Sequence, residues 1–257
     1  MKFSVLGSGS RGNSVYIESG TTGILIDNGF SGKELEKRLN TIDRSLSDVK
    51  CVCITHEHND HIGGAGVISR RGRIPVLANT ATFSAGEKRL GKLHKRIEFE
   101  TGDLIEFMDL EIRSFRVSHD TADPVGYVIS RNGLSVGYCT DTGKVSHLMR
   151  RRLSACNGLV LEFNHNLEML KNGPYPLALQ QRVRSSQGHL SNEDGAEFLQ
   201  TILHAKLQFT ILAHLSETNN LPKFANAAAK KVLVESSSQS DMIVASQDCA
   251  TPLLSLI

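Results

Sequence analysis

The chain has 257 residues, 40% hydrophobic and 22% charged, which fits a folded globular protein and excludes a disordered or collagen-like one. Lys and Arg total 29 against 27 Asp and Glu, a formal charge of +2, so a uniformly basic nucleic-acid coat is excluded too. Aromatics are 5% with no Trp, which argues against base stacking, whereas ten His direct attention to metal chemistry.

In chain order, Lys2–Leu6, Ser14–Glu18 and Gly23–Asp27 read as short strands parted by glycine turns. Ser31-Gly32-Lys33-Glu34 reads as a capping box that opens a helix to Asn40. Val49–Thr55 is a buried strand, followed by a Gly-rich turn, a helix and the strand Ile74–Ala78. Strand signals recur at Leu104–Phe107, Glu111–Val117, Gly126–Ser130 and Ser135–Thr140, with Arg131-Asn132-Gly133 as a hairpin turn. Elements then alternate: helix Lys144–Leu153, strand Gly158–Phe163, helix Ser191–His204, strand Gln208–Ala213, helix Leu221–Glu235 and strand Met242–Ala245. Asn164–Gly188, with Gly173-Pro174-Tyr175-Pro176 in its middle, reads as a functional surface loop. The pattern predicts a sheet-on-sheet core flanked by helices, in one domain over residues 1–257.

The start, Met1 to Gly7, lacks the long apolar core of a signal peptide, and no apolar run approaches the roughly 18 residues of a membrane span. The five Cys are odd in number and scattered, as expected of reduced thiols. These features predict a cytoplasmic protein with no membrane partner. Gly7-Ser8-Gly9-Ser10-Arg11-Gly12 matches G-x-G-x-x-G, but a dinucleotide fingerprint needs a helix next and Asn13–Glu18 is β-like. No nucleotide cofactor is expected. The turn still offers Ser8, Ser10, Arg11 and Asn13 as phosphate contacts.

The strongest signal is His56-Glu57-His58-Asn59-Asp60-His61, set between a buried strand and Ile62-Gly63-Gly64. Three imidazoles and a carboxylate so close together are costly to bury without a cation. His56 and His58 point the same way at extended spacing and can share one metal, while Asp60 and His61 turn toward a second. The spacing excludes the helical H-E-x-x-H arrangement of zincins.

H-x-H-x-D-H after a strand resembles the signature of the metallo-β-lactamase superfamily, an α+β fold of four layers, αββα. The resemblance continues along the chain. It implies Asp27 after an early strand, His119 and Asp141 after later strands, and His214 at a late strand end. Within the superfamily the chain is similar to the WalJ/YycJ branch, through Gly7–Ser14, Leu161–Asn166, Gly173–Pro176, Gly188–Asn192 and Ala213–Asn220. That branch is similar to phosphodiesterases such as tRNase Z and the β-CASP nucleases, and is linked to 5′-to-3′ DNA exonuclease activity. The interval from Asp141 to His214 is too short for a β-CASP insertion, and no tRNA-binding arm is visible.

The resemblance implies two divalent ions, zinc or manganese, with a bridging hydroxide for in-line phosphoryl displacement. His56, His58 and His119 are assigned to one ion; Asp60, His61 and His214 to the other; and Asp141 bridges them. Asp27 orients a ligand histidine or the backbone turn. His189 and His165 are candidate proton donors to the leaving 3′-oxygen, with Glu162 as a partner, while His94, His147 and His204 read as structural.

Residues 142–192 carry a local +5, and the run Glu87–Arg96 adds +4, against an acidic segment at residues 98–120. A basic side beside such a centre predicts a nucleic-acid substrate, DNA in the first instance, held by phosphates with low sequence preference. The alternatives are a hydrolase of a small ester, thioester, lactone or phosphodiester, and a non-catalytic binding protein on the same scaffold.

Overall fold

The computed structural model describes residues 1–257. Its first sheet comprises β1 (Lys2–Gly7), β2 (Ser14–Ser19), β3 (Thr22–Ile26), β4 (Val49–Cys53), β5 (Val76–Asn79) and β6 (Arg96–Phe99). β1 to β3 form an antiparallel meander, and β3 to β6 run parallel. A parallel connection must cross the length of the sheet, and helices do so with their backbone groups satisfied. Those connections carry α1 (Gly32–Asn40), α2 (Asn59–Ile62), α3 (Ala65–Gly72) and α4 (Thr80–Leu90).

The second sheet repeats this plan. It comprises β7 (Leu104–Phe107), β8 (Leu110–Arg116), β9 (Val125–Arg131), β10 (Leu134–Cys139), β11 (Gly158–Glu162), β12 (Phe209–Ala213) and β13 (Asp241–Val244). Pairing is antiparallel as far as β10 and parallel beyond it. Its connections carry α5 (His147–Leu153), α6 (Leu167–Asn172), α7 (Leu177–Val183), α8 (Asn192–Ile202) and α9 (Pro222–Glu235). β14 (Leu254–Ser255) returns to pair with β1.

Strand alternation sorts the apolar residues into three layers of core. In β4, Cys51 and Cys53 point between the sheets, where they meet Ile24, Ile26, Tyr127 and Tyr138. Val52 and Ile54 point the other way, under the helices, with Leu35, Ile68 and Phe83. On the second sheet Leu159, Leu161 and Leu212 pack beneath Phe198, Leu199 and Ala229. Each such fully buried Leu, Ile or Phe contributes roughly 1.5–3 kcal/mol. The result is the expected αββα sandwich.

Local chemistry explains most element ends. Asn132 and Gly133 adopt φ of 51° and 80°, the two left-handed positions of a tight hairpin turn, and set Arg131 opposite Leu134. Ser191 caps α8 with a full capping box through Asp194. At α1 only half of the box forms: Ser31 accepts from the Glu34 amide, while the Glu34 carboxylate takes Arg38 at 2.9 Å.

The structure departs from expectation in three places. α4 lacks a clear sequence signal because Thr, Ser and Gly dominate its start. It is held by the Asn79 cap and by burial of Phe83 and Leu90. The stretch Asn164–Gly188 is not an irregular loop but carries α6 and α7, each too short to display a helical period. The basic run Glu87–Arg96 lies away from the strand ends discussed below. Arg96 pairs with Val76 at the amino end of the parallel strands, and Phe99 with Asn79 at the carboxyl end.

The Gly7–Gly12 turn leads into a strand, β2, as expected. Cys51, Cys53, Cys139 and Cys156 are buried free thiols, and Cys249 is an exposed one. No helix is long and apolar enough to cross a membrane.

The carboxyl ends of β3, β4, β8, β10, β11 and β12 lie along one edge of the sandwich. A buried latch sets the two sheets there: Tyr127 Oη donates to the Ile54 carbonyl at 2.6 Å, and the Val125 amide donates to the Thr55 carbonyl at 3.1 Å. Tyr127→Phe leaves that carbonyl without its partner, with an expected loss of about 1–2 kcal/mol in urea unfolding.

Candidate metal centre

The residues after β4 begin the site. His56 to His58 continue in extended conformation, and α2 then turns Asp60 and His61 back toward them. Two neighbouring loops hold this turn through Asn13 N to Asp60 O (2.7 Å) and Asn28 N to His61 O (2.8 Å). Gly29 makes the approach possible, because a Cβ there would collide with the Asp60 carbonyl.

Donor atoms converge in two groups. In the first, His119 Nε2 faces His58 Nδ1 at 3.3 Å, with the buried His56 ring beside both. In the second, His61 Nε2 lies 3.4 Å from Asp60 Oδ2, and His214 Nε2 lies 3.6 Å from the same oxygen. Asp141 stands between the groups. Its Oδ2 is 3.3 Å from His61 Nε2, and its Oδ1 is 3.4 Å from His214 Nε2 and 3.9 Å from His119 Nε2.

Two observations test whether these residues suit a metal. His56 Nε2 and His214 Nε2 are buried with no hydrogen-bond partner, an arrangement that is costly unless an ion takes the lone pair. Most of the separations lie near the edge of a tetrahedron with bonds of about 2.0–2.1 Å, roughly 3.3–3.4 Å. The donors fit a divalent ion on both counts.

Apart from His58, which turns Nδ1 toward His119, each imidazole has its other nitrogen anchored. His61 Nδ1 donates to Asp27 Oδ2 at 2.8 Å. Thr55 gives that carboxylate its amide and hydroxyl protons, both at 2.8 Å, and its hydroxyl oxygen accepts from His56 Nδ1 at 3.0 Å. His119 Nδ1 donates to the Gly188 carbonyl at 3.1 Å. Glu162 Oε1 accepts from His189 Nδ1 at 2.7 Å and His214 Nδ1 at 3.1 Å, while its Oε2 takes the Thr142 and Leu190 amides. Such anchoring selects the tautomer whose Nε2 lone pair faces the centre. It also leaves Glu162 no capacity to ligate.

Electrostatics follow from burial. Desolvation works to raise the Asp60 and Asp141 carboxyls, but the His61 and His214 charges overcome it, holding Asp60 well below the usual range and Asp141 below it. Desolvation works to lower His214, yet Asp141, Asp60 and Glu162 push it up to about 10. His61 is likewise held well above 6.5 by Asp60, Asp141 and Asp27. His56 is driven down by burial and by its cationic neighbours. Without an ion, protons on His61 and His214 balance the carboxylates, and metal uptake expels them.

Asp27, Asp141 and His214 adopt left-handed backbone, with φ of 60°, 55° and 58°. Each follows a strand directly or by one residue, and that conformation turns the chain sharply so that the side chain faces the edge. Such strain gathers where function requires it.

The expected residues divide clearly. His56, His58, Asp60, His61, His119, Asp141, His214, His189, Asp27 and Glu162 come together. His165 does not join them: it is buried, its Nδ1 has no partner, and burial lowers its pKa to about 4. Ser8 and Asn13 brace the site internally. Ser8 Oγ accepts from the His214 amide at 2.9 Å, and Asn13 Nδ2 donates to Asp60 Oδ2 at 3.1 Å. Arg11 is tied to Glu217 and Asp248, and Ser10 is exposed on the turn. His204 donates to the Cys156 carbonyl, and His94 and His147 are exposed.

Sequence reading missed Thr55, Asn164 and Asp120. Asn164 Nδ2 donates to the His214 carbonyl at 2.8 Å. Asp120 lies 3.5 Å from His119 Nε2 and binds Arg182 at 2.6 Å. Adjacency to His56 and His119 was the available signal for Thr55 and Asp120.

Two stacked mixed sheets with imidazoles and carboxylates gathered at one edge define a hydrolase scaffold of the metallo-β-lactamase fold, built to bind divalent metal. Residues 22–215 match the model of the beta-lactamase superfamily domain, and the chain belongs to that superfamily. It is 38% identical to the exodeoxyribonuclease YycJ of Bacillus anthracis, over 91% of this chain and 90% of that protein. It is 40% identical to the exodeoxyribonuclease WalJ of Streptococcus pneumoniae, over 98% of this chain and 97% of that protein. Among solved structures, the metallo-beta-lactamase fold protein YhfI from Bacillus subtilis superposes with a TM-score of 0.75 at 17% identity, over 97% of this chain and 98% of that one.

Two measurements check the electrostatic account. The raised His214 pKa stabilises the metal-free protein below 6.5, and that contribution is lost as pH climbs through about 10. The metal-free Tm is therefore expected to fall between about pH 7 and about pH 10, and the metal-loaded Tm to hold, because an ion replaces the protons. Asp27→Asn is expected to weaken metal affinity about 10–100-fold in chelator competition.

Proposed function

We propose that the chain is a metal-dependent phosphodiesterase acting on DNA, an exodeoxyribonuclease of 5′-to-3′ polarity. The observation that carries this reading is near full-length similarity to two exodeoxyribonucleases, joined to a centre whose buried Nε2 atoms lack partners. His56, His58 and His119 would hold one divalent ion, and Asp60, His61 and His214 a second, with Asp141 shared. Zinc and manganese both suit this mixture of nitrogen and oxygen donors. Such ions supply a Lewis acid for the phosphoryl oxygens and lower the pKa of an attacking water.

The chain's own residues do the rest. Asp27, Thr55, Glu162 and the Gly188 carbonyl fix the imidazole rings, so the donors are arranged before substrate arrives. His189 is the candidate proton donor. Glu162 holds its Nδ1, its side chain is 21% exposed, and its ring lies 5.0 and 5.2 Å from those of His119 and His214. A partly open imidazole beside the donor rings would protonate the departing 3′-oxygen. His165, closed off from the donors, is assigned a structural part.

The test is incubation of the purified protein, with Mn²⁺ or Zn²⁺, with end-labelled single- and double-stranded DNA and RNA, beside a thioester and a lactone. Stepwise release from DNA 5′ ends is the expected result. Hydrolysis of the thioester or lactone with the nucleic acids left intact would overturn the proposal. His189→Ala is expected to lower kcat about 10²–10⁴-fold with metal loading unchanged, whereas Asp60→Ala is expected to lose the second ion and, with it, cleavage.

A further inference from the structure

Beside the metal centre lies a second concavity, of about 350 Å³, with Lys144, Arg150 and Arg184 in its wall. The chemistry described above leaves it unused. Gly143 and Leu190 also line it, two residues beyond Asp141 and one beyond His189. The Thr142 and Leu190 amides both donate to Glu162 Oε2, at 3.0 and 3.2 Å. The wall of this concavity and the His189 and His214 rings therefore hang on the same buried carboxylate, which fixes one site relative to the other.

The three cations come from three separate segments: the loop after β10, the helix α5 and the end of α7. Arg182, two residues before Arg184, is spent on Asp120, and Arg11 on Glu217 and Asp248. Lys144, Arg150 and Arg184 have no carboxylate within ion-pair distance. Two acids share the wall, Asp194 and Glu197. Asp194 is already committed to the Ser191 amide and hydroxyl, at 3.2 and 2.7 Å. That leaves one free carboxylate for three cations. Like charges gathered around one cavity repel, and an anion bound among them relieves the repulsion.

The geometry points to a second phosphate subsite. Lys144, Arg150 and Arg184 hold a backbone phosphodiester of the strand while another phosphate of that strand occupies the metal centre. This deepens the nuclease reading and rests on it. Arg suits the task through its planar fork and Lys as a point charge, and neither reads base identity. The subsite thus favours a strand over a small substrate without selecting a sequence.

The test uses the metal-loaded protein and a fluorescent DNA hexanucleotide with phosphorothioate linkages, which keep the charge and resist cleavage. Anisotropy gives Kd over a range of salt. Lys144→Ala/Arg184→Ala removes two exposed side chains with no ion pairs, so folding is not at risk. This variant is expected to bind about tenfold more weakly, with a salt slope lower by about 0.7 per cation removed. Lys144→Arg/Arg184→Lys should keep the wild-type slope. Lys88→Ala/Arg89→Ala, in the basic run remote from the site, should bind as wild type. Unchanged affinity and slope in the first variant would overturn the subsite, as would failure of the wild type to bind the strand. Salt-dependent binding that the first variant loses, together with no cleavage of unmodified DNA, would sink the nuclease reading and leave the subsite standing.

Discussion

The structure depends on a constraint at its metal-binding edge: a buried imidazole keeps its lone pair aimed at a metal when its other nitrogen is held. Each sheet meets that need with one buried carboxylate. Asp27, at the end of β3, fixes His61 directly and His56 through Thr55. Glu162, at the end of β11, fixes His189 and His214. Burying those carboxylates is unfavourable alone and becomes tolerable only with imidazoles and cations around them. The two halves must therefore meet in one register, and the Tyr127 latch between the sheets sets it.

The repeated plan of the sheets then takes on meaning. Both place parallel strands so that carboxyl ends share one edge, and both use left-handed residues there to turn side chains across it. The first sheet delivers a compact turn whose glycines admit close backbone approach. The second delivers the single donors His119, Asp141 and His214 and the more open side, where His189 and the cationic concavity lie. The donor atoms are thereby concentrated at the seam, and the unpaired cations fall to the second half.

Much of the fold was legible because its strands are short, apolar and bounded by glycine turns, and because Ser191 announces α8. α4, α6 and α7 were not legible, for a physical reason. They are short or weak in propensity and are held by caps and burial that only the assembled core provides. The donor residues were legible because His56 to His61 have little reason to sit together otherwise. Ser8, Arg11 and Asn13, expected to contact phosphate, turn their side chains inward or toward acids, because residue type alone carries no direction.

The sequence by itself determined which donor groups are present: imidazoles and carboxylates after strand ends, in the order that resembles the metallo-β-lactamase pattern. Tertiary structure alone decided which nitrogen of each ring faces the centre and that Glu162 is a brace. It also separated His189 from His165, and the cations around residues 144–184 from the remote Glu87–Arg96 run. The reason is that composition and spacing are carried along the chain. Direction, pairing and unpaired charge arise only when segments as distant as Asp27 and His61, or Glu162 and His214, are packed against one another.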